Sequence, residues 1–401
     1  MSAIARRTQI ADIARSIPMG VLLPLETSVL LTIAIKQFHA AGWVKGLIAS
    51  ASGVGFLLSP LLTAWTRRLG RPVMQVSALM AVVGACGYAV AASGQLVLLV
   101  IGAMVGVASF NTAIPLLTLT YQTNFSAVDR GRRVGRGLAV KVLASVTTAL
   151  VVGALLNAHL DLWWLVLVVG SVAAVLAAVC TWSIPSGPLE RVAGRSNRPW
   201  PHFELLSQDR RLRRTLTAWM LMGFGNLMLF PLRVEYLAQP KYGVNADAAK
   251  IVLLTVTVPS AVRFVSLPVF GSLFDRMSFF SARIVVNLLF ALYVAAFFTG
   301  RGNVGLFVGA LALGIANAGG DLMWSLWVTK FAPPDRVVDY MGLHTFFTGI
   351  RAAFAPVLAF LVIERAPLLS IAWVAAALMV VASAMLVPEA RAERGRALVT
   401  T

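Results

Sequence analysis

The sequence is short of charged residues, and this excludes a soluble globular protein. Only 12% of its 401 residues are Asp, Glu, Lys or Arg, whereas 59% are hydrophobic and the mean hydropathy is +0.82. A soluble domain has about a quarter charged residues. A chain this apolar cannot cover its surface with polar groups, so much of that surface must face lipid.

Cysteine and histidine are also scarce, which argues against a metal site or an enzyme. The two cysteines and four histidines lie in separate segments without metal-ligand spacing: Cys86, Cys180, His39, His159, His202 and His344. The sequence has no glycine-rich phosphate-binding loop of the Walker type. We therefore expect no cofactor, no metal ion and no catalytic activity.

Acidic residues are outnumbered by basic ones, 16 against 34, which gives a net charge of +18. A nucleic-acid-binding protein would gather its basic residues on one soluble face together with aromatic side chains. Here the arginines stand between apolar runs, as is typical of the cytoplasmic loops of membrane proteins. We expect the lipid bilayer, and not nucleic acid, to be the partner of this charge.

Twelve apolar runs separated by polar segments predict twelve transmembrane helices. A helix needs roughly 20 apolar residues to cross a bilayer, and helices satisfy their own backbone hydrogen bonds in lipid. The predicted fold is therefore an all-α membrane protein. The runs lie near 16–35, 46–65, 73–93, 97–121, 137–158, 162–184, 215–234, 251–273, 284–300, 303–329, 341–363 and 367–387.

The distribution of Lys and Arg predicts the orientation in the membrane. The two termini and the even-numbered loops hold 24 of the 34 basic residues, and the odd-numbered loops hold six. Positive residues concentrate on the cytoplasmic side, so we expect both termini to be cytoplasmic, in a bacterial-type inner (plasma) membrane. The long polar segment 185–214 then forms a cytoplasmic linker between two six-helix bundles, residues 1–184 and 215–401.

The two halves repeat each other at an offset of 206–208 residues. The segment Leu23 to Glu26 aligns with Phe230 to Arg233, and Asn111 aligns with Asn317. Parallel repeats of this kind, related by an axis normal to the membrane, are a known way of building transporters.

Short motifs in the loops resemble the major facilitator superfamily. Gly271 to Ser278 reads GSLFDRMS and is similar to the family signature GxxxDRxG between helices 8 and 9, with serine replacing the last glycine. The first-half copy ends at Arg71 and has Arg67 where the family prefers aspartate. The resemblance implies two six-helix bundles rocking about a central site, with a latch on the cytoplasmic side. Its residues would be Arg68, Gly70, Arg71, Gly271, Asp275, Arg276, Asp129, Arg130, Asp335 and Arg336.

Ionisable residues inside the spans are functional candidates, because each costs at least a few kcal/mol in lipid. The acids well inside are Glu26 and Asp321, with Glu235 at the edge of span 7. For Glu26 we expect proton coupling or substrate binding, and the alternative is a structural pair with a base on another helix. The bases are Lys141, Arg233, Arg263 and Arg351.

Span 10 carries a polar stripe, because Asn317, Asp321 and Ser325 repeat every four residues with Trp324 beside them. The resemblance places helices 1, 4, 7 and 10 on the central cavity. This adds Asn111 and Asn226 to the substrate candidates Glu26, Arg233, Arg263, Asn317, Asp321, Trp324 and Arg351. The competing interpretation of the asparagines is hydrogen bonding between helices.

Asp321 should pair with either Arg263 or Arg351, because an unpaired buried charge is costly. We favour Arg351, since Pro356 follows it and a kink there would turn it inward. Four bases against two acids favour an anionic or zwitterionic solute.

The sequence therefore predicts a monomeric secondary transporter of a small organic solute, anionic or amphipathic, coupled to protons or another ion. One alternative is a proton-antiporting drug or metabolite exporter, although the Gly-Pro exporter signature that the family carries on helix 5 is missing. Another is a non-transporting membrane receptor or scaffold of the same fold, which we would expect to carry an added soluble domain.

Overall fold

The structure is a computed structural model that describes residues 3–126, 130–189, 203–276, 278–300, 302–327 and 337–399. Within helices, the side chains of 130–131, 271–272, 274–276, 322, 325–326, 337–339 and 394–399 are outside the description. The described chain is almost entirely helical.

Twelve helices in the described part of the chain are long and apolar enough to cross a membrane, which confirms the predicted fold class. They are α1 Ala3–Lys36, α2 Gly42–Leu69, α3 Val73–Ala91, α4 Leu96–Asn124, α5 Arg132–Ala158, α6 Leu160–Trp182, α7 Arg210–Ala238, α8 Ala248–Phe270, α9 Phe279–Thr299, α10 Gly302–Asp321, α11 Tyr340–Val362 and α12 Leu368–Glu393.

The contacts between helices divide the chain into two compact units. Unit 1 comprises Met1–Trp200 together with Val234–Val256, and unit 2 comprises Pro201–Arg233 and Thr257–Thr401. Unit 1 thus contains the first six spans and also the end of α7 and the start of α8. The two-bundle boundaries at 184 and 215 stay a prediction.

Exposed tryptophans lie near the ends of several helices. Trp43, Trp164 and Trp373 lie near the ends predicted to face outward, and Trp65 and Trp182 near the ends predicted to face the cytoplasm. Tryptophan favours the headgroup level at both membrane surfaces. Valine and leucine dominate the other exposed apolar side chains, as expected of surfaces that face lipid.

Glycines bring α3 and α4 into close contact. A Cβ on Gly87 would lie 2.5 Å from the backbone nitrogen of Gly106, and a Cβ on Gly102 would collide with the backbone at Ala91. Small residues at such positions let membrane helices pack backbone to backbone, where the hydrophobic effect cannot drive association.

Two of the helices contain a π-helical turn. In α1 it spans Leu25–Val29 directly after Pro24, and in α8 it spans Leu253–Thr257. The turns meet within unit 1, where the hydroxyl oxygens of Ser28 and Thr255 lie 2.8 Å apart. Wide turns of this kind are frequent at functional sites in helices.

Several helices begin earlier than the apolar runs predict. The expected starts at 16, 46 and 284 are wrong, because α1, α2 and α9 begin at Ala3, Gly42 and Phe279. Asp12, Lys45 and Arg283 therefore lie inside helices, where sequence analysis had placed them in flanking or loop segments. Asp12 is almost fully buried and holds Arg15 at 3.0 Å, and its carboxylate accepts from the Tyr121 hydroxyl at 2.5 Å.

Candidate functional site

Glu26 lies on the π-helical turn of α1, and its side chain is exposed although its neighbours Leu25 and Val29 are buried. Proline 24 lacks the backbone N–H that would bond to the preceding turn, which loosens the helix at this point. The wide turn and Pro24 thus lie beside the one acid near the middle of this span. That acid points away from the apolar residues around it.

Asn111 on α4 positions the Glu26 carboxylate. The Asn111 Nδ2 donates to Glu26 Oε1 at 3.1 Å and to the carbonyl oxygen of Val107 at 3.0 Å. Lys141 of α5 is near enough for its charge to act on Glu26. The structure thus brings together two of the predicted candidates, Glu26 and Asn111, and adds Lys141 beside them.

Asp321 pairs with Arg263 in unit 2. The Arg263 Nη2 lies 2.5 Å from Asp321 Oδ2, and the two side chains are 20% and 41% exposed. The expectation that Arg351 would be the partner is wrong, because Arg351 turns toward α7, where its Nη1 donates to the carbonyl oxygen of Trp219 at 2.5 Å. Asn317 is half-buried, one turn before Asp321 on the same helix.

Arg233 is fully buried and stacks on an aromatic ring. Its guanidinium carbon lies 3.9 Å from the centroid of the Phe230 ring, and no described carboxylate pairs with it. Glu235, two residues further along α7, belongs to unit 1 and binds lysines there. Asn226, two turns earlier on α7, has a buried amide oxygen without a hydrogen-bond partner among the described residues.

Glu235 forms a buried ion pair that sequence analysis missed. Lys45 Nζ donates to Glu235 Oε2 at 2.8 Å, and the two side chains are only 8% and 2% exposed. Lys241 lies 3.8 Å from the other carboxylate oxygen, and Lys36 donates to the carbonyl oxygen of Ala238 at 2.9 Å. These contacts attach the end of α7 to α1 and α2 inside unit 1.

Arg283 is a second residue that sequence analysis missed. Its guanidinium carbon lies 3.7 Å above the centroid of the Trp219 ring, and the side chain is fully buried. The signal in the sequence was Ser278, whose hydroxyl oxygen accepts from the backbone N–H of Ser281 and so caps α9. Recognising that cap would have placed Arg283 in the first turns of the helix.

Trp324, another predicted candidate, lies 5.7 Å from the ring of His344.

The predicted cytoplasmic latch is only partly described. Arg68 and Arg71 are exposed, and Gly70 ends α2 with a left-handed φ of 62°, a conformation that favours glycine. At the matching place in the second half, Ser278 has an ordinary φ of −61° and caps α9, which accounts for serine in place of the signature glycine. Gly271, Asp275, Arg276 and Arg130 lie in helices, but their side chains are outside the description, as are Asp129, Asp335 and Arg336 entirely.

The twelve helices of spanning length in the described part of the chain define a helical membrane protein. The profile of the Major Facilitator Superfamily matches residues 13–303, well over half of the chain. The chain belongs to this superfamily, and it is a secondary transporter and not an enzyme. No curated protein gives a significant match to the sequence.

Solved structures with the same fold cover almost the whole chain. The nucleoside transporter NupG matches with a TM-score of 0.71 at 14% identity, over 96% of this chain and 99% of that one. The xylose transporter XylE from E. coli matches with a TM-score of 0.70 at 13% identity, over 96% and 97%. The human organic anion transporter MFSD10 matches with a TM-score of 0.62 at 18% identity, over 96% and 98%. At these identities the likeness shows the fold alone.

Proposed function

We propose that the protein moves a small organic solute with an anionic group across the plasma membrane by alternating access, with Glu26 carrying the coupling proton. The observation that carries this proposal is the environment of Glu26. It is an exposed carboxylate in the middle of a span, and its direct contact is the neutral amide of Asn111.

Proton coupling requires a carboxyl group that can be neutral in one stage of transport and charged in another. Asp321 is less suited to this task, because Arg263 lies 2.5 Å away and favours the ionised form. Glu26 has a neutral hydrogen-bond donor and the more distant charge of Lys141, so its charge depends on what occupies the space around it. An intramembrane acid in such a setting is a default candidate for a proton relay.

The preference for an anionic solute rests on the arginines of unit 2. Within the described side chains, Arg233, Arg283 and Arg351 are buried in spans without a carboxylate partner. Arginine cannot lose its proton in a protein, so unit 2 has a permanent excess of positive charge inside its spans. An organic anion is the human neighbour's named solute, and this is consistent with the same chemistry here.

The test is transport by purified protein in liposomes. Glu26→Gln keeps the shape and the hydrogen bond to Asn111 but removes the proton-carrying group, so it should abolish accumulation driven by a proton gradient. Exchange of labelled for unlabelled solute should persist, because exchange needs no net proton movement.

Glu364→Gln is the matched control, because Glu364 is an exposed acid in the loop between α11 and α12. This variant should accumulate solute like the wild type. Equal loss of accumulation and exchange in Glu26→Gln would show that Glu26 binds solute or supports the fold, and the coupling assignment would be abandoned. Accumulation of neutral or cationic solutes in preference to anions would refute the proposed solute class.

A further inference from the structure

The buried indole of Trp219 and three buried side chains around it have nitrogen atoms without a hydrogen-bond partner among the described residues. We call Trp219, Arg283, His344 and Arg351 the Trp219 cluster, and their exposed fractions are 3%, 1%, 1% and 6%. The nitrogens that lack a hydrogen-bond partner among the described residues are Trp219 Nε1, Arg283 Nε, His344 Nε2 and Arg351 Nε.

All members of the cluster lie against the same ring. The Arg283 guanidinium stacks on it at 3.7 Å, the Arg351 guanidinium lies 5.9 Å from its centroid, and the His344 ring meets it edge-on at 4.9 Å. The orphaned groups therefore belong to one place in unit 2, where α7, α9 and α11 contribute side chains.

The arginines are poorly compensated by the protein. For Arg283 the hydrogen-bonding contact among the described residues is the thioether sulfur of Met222, 3.6 Å from Nη2. For Arg351 the partners are neutral oxygens, the Trp219 carbonyl at 2.5 Å and the Thr348 hydroxyl at 3.3 Å. No carboxylate among the described side chains pairs with either of them.

Two permanent charges buried around one ring, without a carboxylate partner among the described side chains, repel each other and lose their hydration. Because arginine stays protonated, the site cannot relieve this cost by losing a proton, as a lysine would. The N–H groups of both arginines and of the indole can only donate, and the neutral imidazole can donate from one of its nitrogens. A compact acceptor with negative charge would satisfy all of them.

We propose that the Trp219 cluster binds a compact anion, either a small inorganic ion or a carboxylate group, as a counter-charge inside unit 2. This site is separate from Glu26 and does not depend on the proposed proton coupling, but it contains two of the three arginines on which the proposed solute class rests. The shared chemistry is a negatively charged acceptor held between two guanidiniums.

The experiment measures thermal unfolding of the purified full-length protein after exchange into gluconate, a much bulkier anion that serves as the reference. Chloride, phosphate and formate are then added at constant ionic strength. At saturation at least one of them should raise Tm by about 2–5 °C, as expected for a ligand that binds only the folded state. Chloride or phosphate alone would identify an inorganic ion, and formate alone a carboxylate.

Two arginine variants distinguish anion binding from a purely structural role of the arginines. Arg283→Gln and Arg351→Gln should each abolish the rise in Tm with added anion. In gluconate each should be as stable as the wild type or more stable, because an uncompensated charge has been removed. Arg365→Gln, on an exposed loop, and Arg233→Gln, a buried arginine outside the cluster, should keep the full response.

A response to added anion that survives in Arg283→Gln and Arg351→Gln would be a general salt effect and would overturn the proposal. So would the absence of any response in the wild type. Equilibrium dialysis with radiolabelled chloride and phosphate, and with labelled formate, provides a second measurement that needs no variant. Failure of the wild type to retain any of the three ions would also end the proposal, whether or not the variants fold.

Discussion

Replacing Glu235 with glutamine tests the buried ion pair with Lys45 in unit 1. Glutamine keeps the shape of the side chain but removes its charge, so the buried ammonium group of Lys45 loses the carboxylate with which it pairs. The pair is 2.8 Å apart, and its side chains are 8% and 2% exposed, so water screens it very little. Breaking one side of a buried pair costs about 3–5 kcal/mol. We expect a fall in Tm of several degrees.

The neighbourhood of the pair makes its two halves unequal. Lys241 lies 3.8 Å from Glu235 and is 57% exposed, so after Lys45→Met it still offers Glu235 a partial counter-charge, worth about 0.2–1 kcal/mol. Lys45, in contrast, loses the carboxylate that lies 2.8 Å away when Glu235 becomes glutamine. Glu235→Gln should therefore destabilise the protein more than Lys45→Met. The double variant should lie close to the wild type, since neither charge remains.

The assay is thermal unfolding in one detergent, with Glu364→Gln as the exposed control. Two results would refute the reasoning. If the single effects simply add in the double variant, the side chains do not form a coupled pair. If Lys45→Met is the more damaging single change, the uncompensated group is Glu235 and Lys241 does not reach it.

Two further predictions concern unit 2 and the topology. Asp321→Asn should lower Tm by less than Glu235→Gln, because the pair with Arg263 is 20% and 41% exposed and is worth about 1 kcal/mol. Adding Arg263→Gln should restore Tm, whereas adding Arg351→Gln should not. The opposite rescue would contradict the observed pairing. In a background without Cys86 and Cys180, cysteines at Gly94 and Asn303 should react with an impermeant thiol reagent on intact cells and one at Ser207 should not. Labelling at Ser207 would reverse the predicted orientation.

The number and type of helices could be predicted because each span is recognisable from its own apolar run, independently of its neighbours. Bilayer thickness fixes the length of an apolar run, and the backbone has no alternative to a helix in lipid. The starts of helices were harder, because α1, α2 and α9 extend beyond their apolar runs through polar residues. Lys45 and Arg283 stand in such extensions, and composition alone assigns them to loops.

The partners of buried charges could not be predicted, because the sequence gives depth along a helix but not the direction a side chain faces. Pro356 predicts that Arg351 turns toward Asp321, and this is wrong. Arg351 hydrogen-bonds to α7, and Arg263 is the residue that pairs with Asp321. Glu26 and Asn111 were each identified from the residues and the family resemblance. Their hydrogen bond depends on the packing of α1 against α4, which no local pattern encodes.

The internal repeat gives these charges a further meaning. Glu26 and Arg233 occupy equivalent positions, each two residues after an intramembrane proline, so one position carries opposite charges in the two halves. The acid is exposed and held by a neutral amide, whereas the base is buried on the Phe230 ring. A proton carrier must exchange its proton with water, whereas a group that holds a fixed counter-charge must not. If the first half carries the coupling proton and the second half holds a fixed charge, Glu26 should be exposed and Arg233 buried. The two residues have these exposures, which supports the assignment of proton coupling to Glu26.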